Sequence, residues 1–380
     1  MIYFDITKAG RARHHSGLQR VSSRLRAELG ARVESVVWEN AQWLRVSDRG
    51  PVRPTAADWI VTPELFSEAE RPGWSSWLQA GWPARCRVVA IFHDAIPLKF
   101  PQWTWPQSVA RHPEYLKMLA SFDRVLAVSE TSRLELTEFW KWQGVTPRSS
   151  VGRIELGADF VGSAIPPANT PGAGASPGMG DPRHELLNTE RPRLPTIAAR
   201  VRKPRLVCIG IIEPRKNQSL LLDVAEQLIE RGVRFEMDFV GRVNPHFGNP
   251  ISYRLRRLAA RYSEIRYHGA ATDEAVLELW RGARASLFPT LAEGCGLPLL
   301  ESVARGVPCL ASDLPVLRES GEAGCVFIKT GDINAWIESV ERILTDDVWA
   351  TELAIQASAR PTVGWAHTAE QLLISLQSSC

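Results

Sequence analysis

LFPTLAEGCGLPLLESVARGVPCLASDLPVLRE, residues 287–319, sets two carboxylates around a glycine-rich helix start. Glu293 and Glu301 stand eight positions apart. Between them Gly294, Gly296 and Pro298 read as a tight turn entering a first helical position. Leu299, Leu300, Val303 and Ala304 then supply one apolar face until Gly306 ends the helix. Such a turn is an anion site, because the first amides of a helix lack intrahelical acceptors and the missing side chains let a phosphate approach the backbone. Two acceptor-only groups beside that site suit a ligand with hydroxyls on both sides of a diphosphate, as a nucleotide sugar has.

Upstream, CIGIIEPRKNQSLLLDVAEQLIERG (208–232) reads as a buried strand, a turn at Glu213-Pro214 and a helix with Leu220, Leu221, Val224, Ala225, Leu228 and Ile229 on its apolar face. Arg215 and Lys216 fall at the carboxyl end of that strand, where positive charge can meet a diphosphate. The helix dipole disfavours cations at an N-terminus unless an anion is present, which argues against a merely solvated basic turn.

Short Val- and Ile-rich runs alternate with helical patterns: IYFDI, VESVVW, DWIVT, RVVAIFHD and RVLAVSE, then RLVCIGII, FEMDFVG, IRYHGA, ASLFPT and VPCLASD. Strands alternating with helices imply parallel sheets covered on both faces. The two series are separated by a stretch crowded with Pro, Gly and Ala. The expected organisation is an α/β protein with two Rossmann-like domains, 1–160 and 204–360, a linker at 161–203 and a terminal helical segment at 361–380. Open α/β sheets bind ligands at the carboxyl ends of their strands, so a central cleft faced by both sheets is the expected site.

In the first domain, RVVAIFHDAIPLKF (87–100) ends a strand on His93 and Asp94, which makes His93 a candidate to hydrogen-bond a hexose and stabilise charge at its reacting carbon. A histidine satisfied by loop backbone is the competing reading. Ser16-Gly17-Leu18-Gln19 opens a helix after the first strand, and Gly17 permits close approach of a ligand. Ten of the fourteen tryptophans fall in the first 142 residues, among them Trp74, Trp77, Trp82, Trp103 and Trp105; they are core, acceptor platform or membrane-interface residues.

A net charge of +3 is too small to argue for nucleic acid. Arg11, Arg13, Arg20, Arg24 and Arg26, with His14 and His15, read either as a solvated basic face or as a patch for an anionic acceptor or lipid headgroups. Six cysteines without C-x-x-C or metal spacing fit reduced thiols in the cytoplasm. Met1 opens directly into a strand and no apolar run reaches about 18 residues, so neither export nor a membrane span is expected. Peripheral contact with the inner face of a membrane stays open. No D-x-D occurs, and a metal-independent reaction without cofactor is expected.

The 287–319 segment closely resembles the signature of the family 4 retaining glycosyltransferases, which have the GT-B fold. The likeness spans nearly the whole chain, most strongly Leu206–Glu319. It implies that Glu293 meets the donor hexose, that Glu301 meets the ribose, and that Gly294, Cys295, Gly296 and Leu297 line the donor with their backbone. Cys295 stands where the family usually has an aromatic residue. Lys216 would grip the diphosphate, with Arg215 replacing an arginine that many members carry where Ile211 stands here. The family histidine maps to His93, and Gly17 to a loop near the diphosphate and acceptor.

FHDAIPLKFP and DRVLAVSE resemble bacterial O-antigen and exopolysaccharide mannosyltransferases. The implied activity is retaining transfer of mannose from GDP-mannose to a glycan or lipid-linked glycan in cell-surface polysaccharide synthesis, by front-face substitution. UDP-sugars or another GDP-hexose are alternative donors. A nucleotide-sugar epimerase and a catalytically silent sugar-binding subunit are rival functions. An NAD-dependent oxidoreductase ranks below them, since no strand leads into G-x-G-x-x-G.

Overall fold

The computed structural model describes residues 1–9, 17–80, 86–159 and 203–377. Residues 161–202 of the expected linker, Trp82, Arg11, Arg13, His14 and His15 lie outside the described residues. The chain divides into two compact units, Met1–Gly157 with Gly364–Cys380, and Ala158–Val363.

The first unit is built on β1 (Ile2–Asp5), β2 (Glu34–Glu39), β3 (Gln42–Arg45), β4 (Pro51–Val52), β5 (Trp59–Thr62), β6 (Arg87–Phe92), β7 (Arg124–Ala127) and β8 (Val151–Arg153). Their order is β4-β3-β2-β1-β5-β6-β7-β8. From β2 to β8 neighbouring strands are parallel, while β3 and β4 extend the β2 edge as antiparallel strands. The β2–β3 turn has Asn40 at φ 50° and Ala41 at φ 57°, the pair of left-handed residues that matches a tight hairpin to strand twist.

This hairpin explains the density of tryptophan. Trp38 and Trp43 face each other across the ladder with ring centroids 5.2 Å apart, and Trp74 sits 5.6 Å from Trp38. Edge-to-face pairs of this kind contribute about 0.5–1.5 kcal/mol each beyond area burial. Trp74 is therefore core, Trp77 joins the same cluster, Trp103 stacks on Phe100, and Trp105 is 40% exposed. Arg20 and Arg24 are half-buried, and Arg26 donates to Ser35 Oγ (2.5 Å) and Gly30 O (3.0 Å), so these three are not a solvated face.

The second unit contains β9 (Arg205–Ile209), β10 (Glu236–Val240), β11 (Ile265–Tyr267), β12 (Ala283–Phe288), β13 (Cys309–Ser312) and β14 (Cys325–Ile328), in the order β11-β10-β9-β12-β13-β14 and wholly parallel. Leu206, Leu221, Leu228, Phe239 and Leu287 are fully buried between the sheet and its helices. Both sheets have a topological switch point, between β9 and β12 here and between β1 and β5 in the first unit, where the chain reverses its direction of winding.

The terminal helix Trp365–Gln377 belongs to the first unit, where it packs on the helix Gly17–Leu29. Gln371 Oε1 accepts the Glu155 N–H at 2.9 Å, and a Cβ on Gly157 would collide with the Trp365 backbone. Glycine at 157 is thus a packing requirement of the helix return.

Candidate active site

The carboxyl ends of β9 and β12 are adjacent in the second sheet, and the turns that leave them are joined. Beyond β9 the chain passes through Gly210 at φ 156°, beside Gly241 at φ 151° leaving β10; a Cβ on Gly241 would collide with the Gly210 carbonyl. Pro214–Lys216 then form one 3-10 turn, and Asn217, left-handed at φ 55°, leads into the helix Gln218–Glu230. Beyond β12, the Leu291 N–H donates to Arg215 O (2.8 Å) and Arg215 donates from its guanidinium to Ala292 O (2.7 Å).

This stitching brings Arg215, Lys216 and Glu293 together. Lys216 Nζ donates to Glu293 Oε1, which also accepts from Thr290 Oγ1 at 2.7 Å and lies 3.5 Å from Arg215. Arg215 pairs with Glu213 at 2.7 Å, and Glu213 accepts from Asn244 Nδ2 at 2.8 Å. Only 11% of the Lys216 side chain and 9% of that of Glu293 are exposed. Lys216 Nζ also lies 5.0 Å over the Phe288 ring, on the negative face of its π system.

The sequence pattern casts Lys216 and Arg215 as cations awaiting an anion. In the structure each already faces a carboxylate of its own unit, Glu293 and Glu213, which removes the penalty of cations at a helix start. Burial draws the Lys216 ammonium below its ordinary value, against the opposing charge of Glu293. Burial pushes the Glu293 carboxyl up, but the charges of Lys216 and then Arg215, with the hydrogen bonds from Lys216 and Thr290, bring it net below the usual carboxylate range. Four charges of balanced sign thus form a preorganised, nearly dry cluster.

The glycine turn follows directly. Gly296 has φ 88° and a Cβ there would collide with Leu317, so geometry and space both require glycine. The helix is Leu297–Val303, shorter than the apolar pattern running to Gly306 suggests, because Gly306 turns left-handed at φ 71° and the chain enters β13. Glu301 lies in this helix and is 3% exposed. Gly294, Cys295 and Leu297 occupy the same turn.

His93 and Gly17 belong to the first unit. Gly17 is the first residue of its helix and is exposed, with open space where a Cβ would stand. His93 follows β6, and its Nε2 lies 2.8 Å from Pro63 O. A carbonyl accepts only, so Nε2 carries the proton and Nδ1 presents the lone pair of the neutral ring. Burial lowers the His93 pKa, which favours that neutral form. Asp94 Oδ1 accepts the Ile96 N–H at 3.0 Å and thereby orders the loop after β6.

Glu213, Thr290 and Asn244 were not legible as site residues. A buried Glu at the head of E-P-R-K-N was the available signal, since a carboxylate two residues before an arginine can hold it from behind. Among the described residues no three His, Cys, Asp or Glu come together as a metal-ligand set, and no helix is long and apolar enough to cross a membrane.

Comparison with known proteins bears on the fold and the family. Residues 203–346 match the model of the family described as Glycosyl transferases group 1. The serotype-specific mannosyltransferase WbdA of Escherichia coli is 27% identical over 294 residues, covering 74% of this chain and 32% of WbdA. The O-antigen chain mannosyltransferase B of Escherichia coli is 34% identical over 142 residues, 37% of each chain. The chain spans 31–43% of the length of the WbdA proteins that it matches. Among solved structures, Anabaena HepE in complex with UDP and glucose superposes with a TM-score of 0.66 at 14% identity, over 100% of this chain and 99% of HepE. That likeness shows the fold, GT-B. Residues 203–346 are thus similar to the glycosyl transferases group 1, and along most of its length the chain resembles bacterial mannosyltransferases.

Proposed function

We propose that this chain is a retaining hexosyltransferase that moves mannose from GDP-mannose to a glycan or lipid-linked glycan acceptor in cell-surface polysaccharide synthesis. The observation that carries the reading is the cluster of Glu213, Arg215, Lys216 and Glu293 at the switch point of the second sheet, beside the Gly294–Leu297 turn. A diphosphate that meets Lys216 and Arg215 exchanges one set of anionic partners for another, so Glu293 is released towards sugar hydroxyls as the cations turn to phosphate. Glu301 serves the ribose, and His93 the hexose. The similarity to WbdA and to O-antigen chain mannosyltransferase B supports mannose as the sugar transferred.

The bond from the anomeric carbon to the diphosphate oxygen breaks while the bond to the acceptor oxygen forms on the same face. The acceptor hydroxyl proton passes to the departing diphosphate oxygen. Lys216, Arg215 and the amides of the 294–297 turn stabilise the charge that develops there. No metal is required in this scheme, and a chelator leaves turnover intact.

Transfer from labelled GDP-mannose is the test. Lys216→Ala lowers kcat by about 100- to 1000-fold, the scale of losing one preorganised donor to a developing anion. Unchanged turnover in both Lys216→Ala and Glu293→Ala overturns the assignment. GDP raises the melting temperature more than UDP, because a ligand bound only by the native state stabilises it; the reverse order moves the donor to a UDP-sugar. Release of free epimerised sugar without acceptor would favour the epimerase.

A further inference from the structure

At the switch point of the first sheet, the three residues Pro63–Leu65 that leave β5 hold both flanking strand exits. On one side Pro63 O accepts from His93 Nε2 at 2.8 Å. On the other, Glu64 Oε2 accepts the Lys8 N–H at 2.8 Å, Glu64 Oε1 accepts the Ala9 N–H at 2.6 Å, and Leu65 O accepts from Lys8 Nζ at 2.5 Å. Lys8 and Ala9 continue the chain that leaves β1 towards Gly17. His93 and the chain leaving β1 are therefore tied through adjacent links of one segment.

Glu64 is 5% exposed and charged groups surround it. From β1 comes Asp5, and from the loop after β5 comes Arg71, whose guanidinium lies 2.6 Å from Asp5 and 3.8 Å from Glu64. Lys8 pairs with Glu70 at 2.8 Å, and Glu70 also takes Arg111 of the helix Pro106–Leu119 at 2.6 Å. Tyr115 of that helix feels the charge of Arg71, and His93 after β6 is held by Pro63 O next to Glu64. The Arg71 guanidinium is 3.7 Å over the Phe66 ring and none of its nitrogens makes a hydrogen bond of good geometry, so its charge is shared between Asp5 and Glu64 without being matched to either.

We propose that Glu64 is a positioning residue of the transfer reaction, whose carboxylate fixes the β1 exit through the Lys8 and Ala9 amides in one piece with the carbonyl that orients His93. This rests on the transferase reading above. The ionised form is the one that accepts two N–H groups at once; protonation turns one oxygen into a donor facing a donor. Burial, with the charge of Asp5 adding to it, raises the Glu64 pKa to about 7 against the pull of the two amides and Arg71. Burial lowers the His93 pKa and that of Lys8 from their ordinary values, whereas it raises that of Glu64.

Two measurements test this on the full chain. First, kcat/KM for transfer in the wild type falls to about one tenth of its plateau one pH unit below the Glu64 midpoint, as the ionised fraction does. In Glu64→Gln that limb is absent, activity is low throughout, and the melting temperature is not lowered. A persistent limb near pH 7 in Glu64→Gln overturns the proposal. Second, amide hydrogen exchange, corrected for intrinsic rates, shows Lys8 and Ala9 protected above pH 7 and losing about tenfold of that protection one unit below it. Protection independent of pH and unchanged in Glu64→Gln also overturns it. Exchange needs no turnover: if it behaves as stated while Lys216→Ala keeps full transfer, the transferase assignment of the second unit fails and the Glu64 latch stands.

Discussion

At the switch point of the second sheet two cations and two carboxylates pair off, Lys216 with Glu293 and Arg215 with Glu213, whereas at that of the first sheet one buried guanidinium, Arg71, serves both Asp5 and Glu64. The balanced cluster keeps Glu293 ionised well into the acid range; the unbalanced one leaves Glu64 near neutrality. Among the described residues, similar groups in similar topology thus acquire different chemistry from how their charges pair. The first arrangement holds two cations where a ligand anion can exchange for their carboxylate partners. The second suits a brace whose grip depends on its own ionisation.

The strongest way to break this contrast is Arg71→Met. Removing the cation leaves Asp5 and Glu64 buried without compensation, and the expected loss is about 3–5 kcal/mol of stability by urea denaturation. A loss below about 1 kcal/mol would mean that the guanidinium is not what offsets those carboxylates.

Gly296→Ala sharpens the other side of the comparison. The residue must hold φ 88° and its new methyl group meets Leu317, so a cost of about 1–3 kcal/mol is expected, with donor binding weakened and the Lys216–Glu293 pair intact. Calorimetry with GDP on the purified variant measures both effects.

The effects of pH have opposite signs at the two clusters. Glu293 has a depressed folded pKa, so its contribution is complete above the unfolded carboxylate value and is lost as pH falls through the folded one. The stability difference between wild type and Glu293→Gln should therefore be constant near neutrality and shrink in acid. Glu64 is raised from 4.5 to about 7, so the native state binds more protons than the unfolded chain between those values and the wild type loses stability as pH rises through that window. Relative to wild type, Glu64→Gln should gain up to about 3 kcal/mol across it. Parallel pH dependences in the two variants would erase the distinction between the clusters.

Much of this was readable beforehand. The Val- and Ile-rich runs marked ten of the fourteen strands, because two-sided burial leaves a continuous apolar run that does not depend on context. The four not marked, β3, β4, β8 and β14, are short or lie at sheet edges, where pairing rather than composition makes a strand. Gly296 and the E-P-R-K turn were legible because backbone geometry and local charge leave a residue-type signature. Glu213 and Glu64 were not, because each sits far in sequence from a group that gives it meaning, Asn244 for one and Lys8 with Ala9 for the other.

By itself the sequence determined the alternation of strand and helix, the glycine at 296, and the presence of basic and acidic residues around it, since these follow from periodicity, left-handed backbone and residue chemistry. Tertiary structure alone decided which charges compensate one another. Pairing depends on distances between chain segments as remote as 216 and 293, or 8 and 64, and on how much water remains between them. Low dielectric makes those distances set the ionisation state, and so it is packing that turns one glutamate into a fixed anion and the other into a titratable brace.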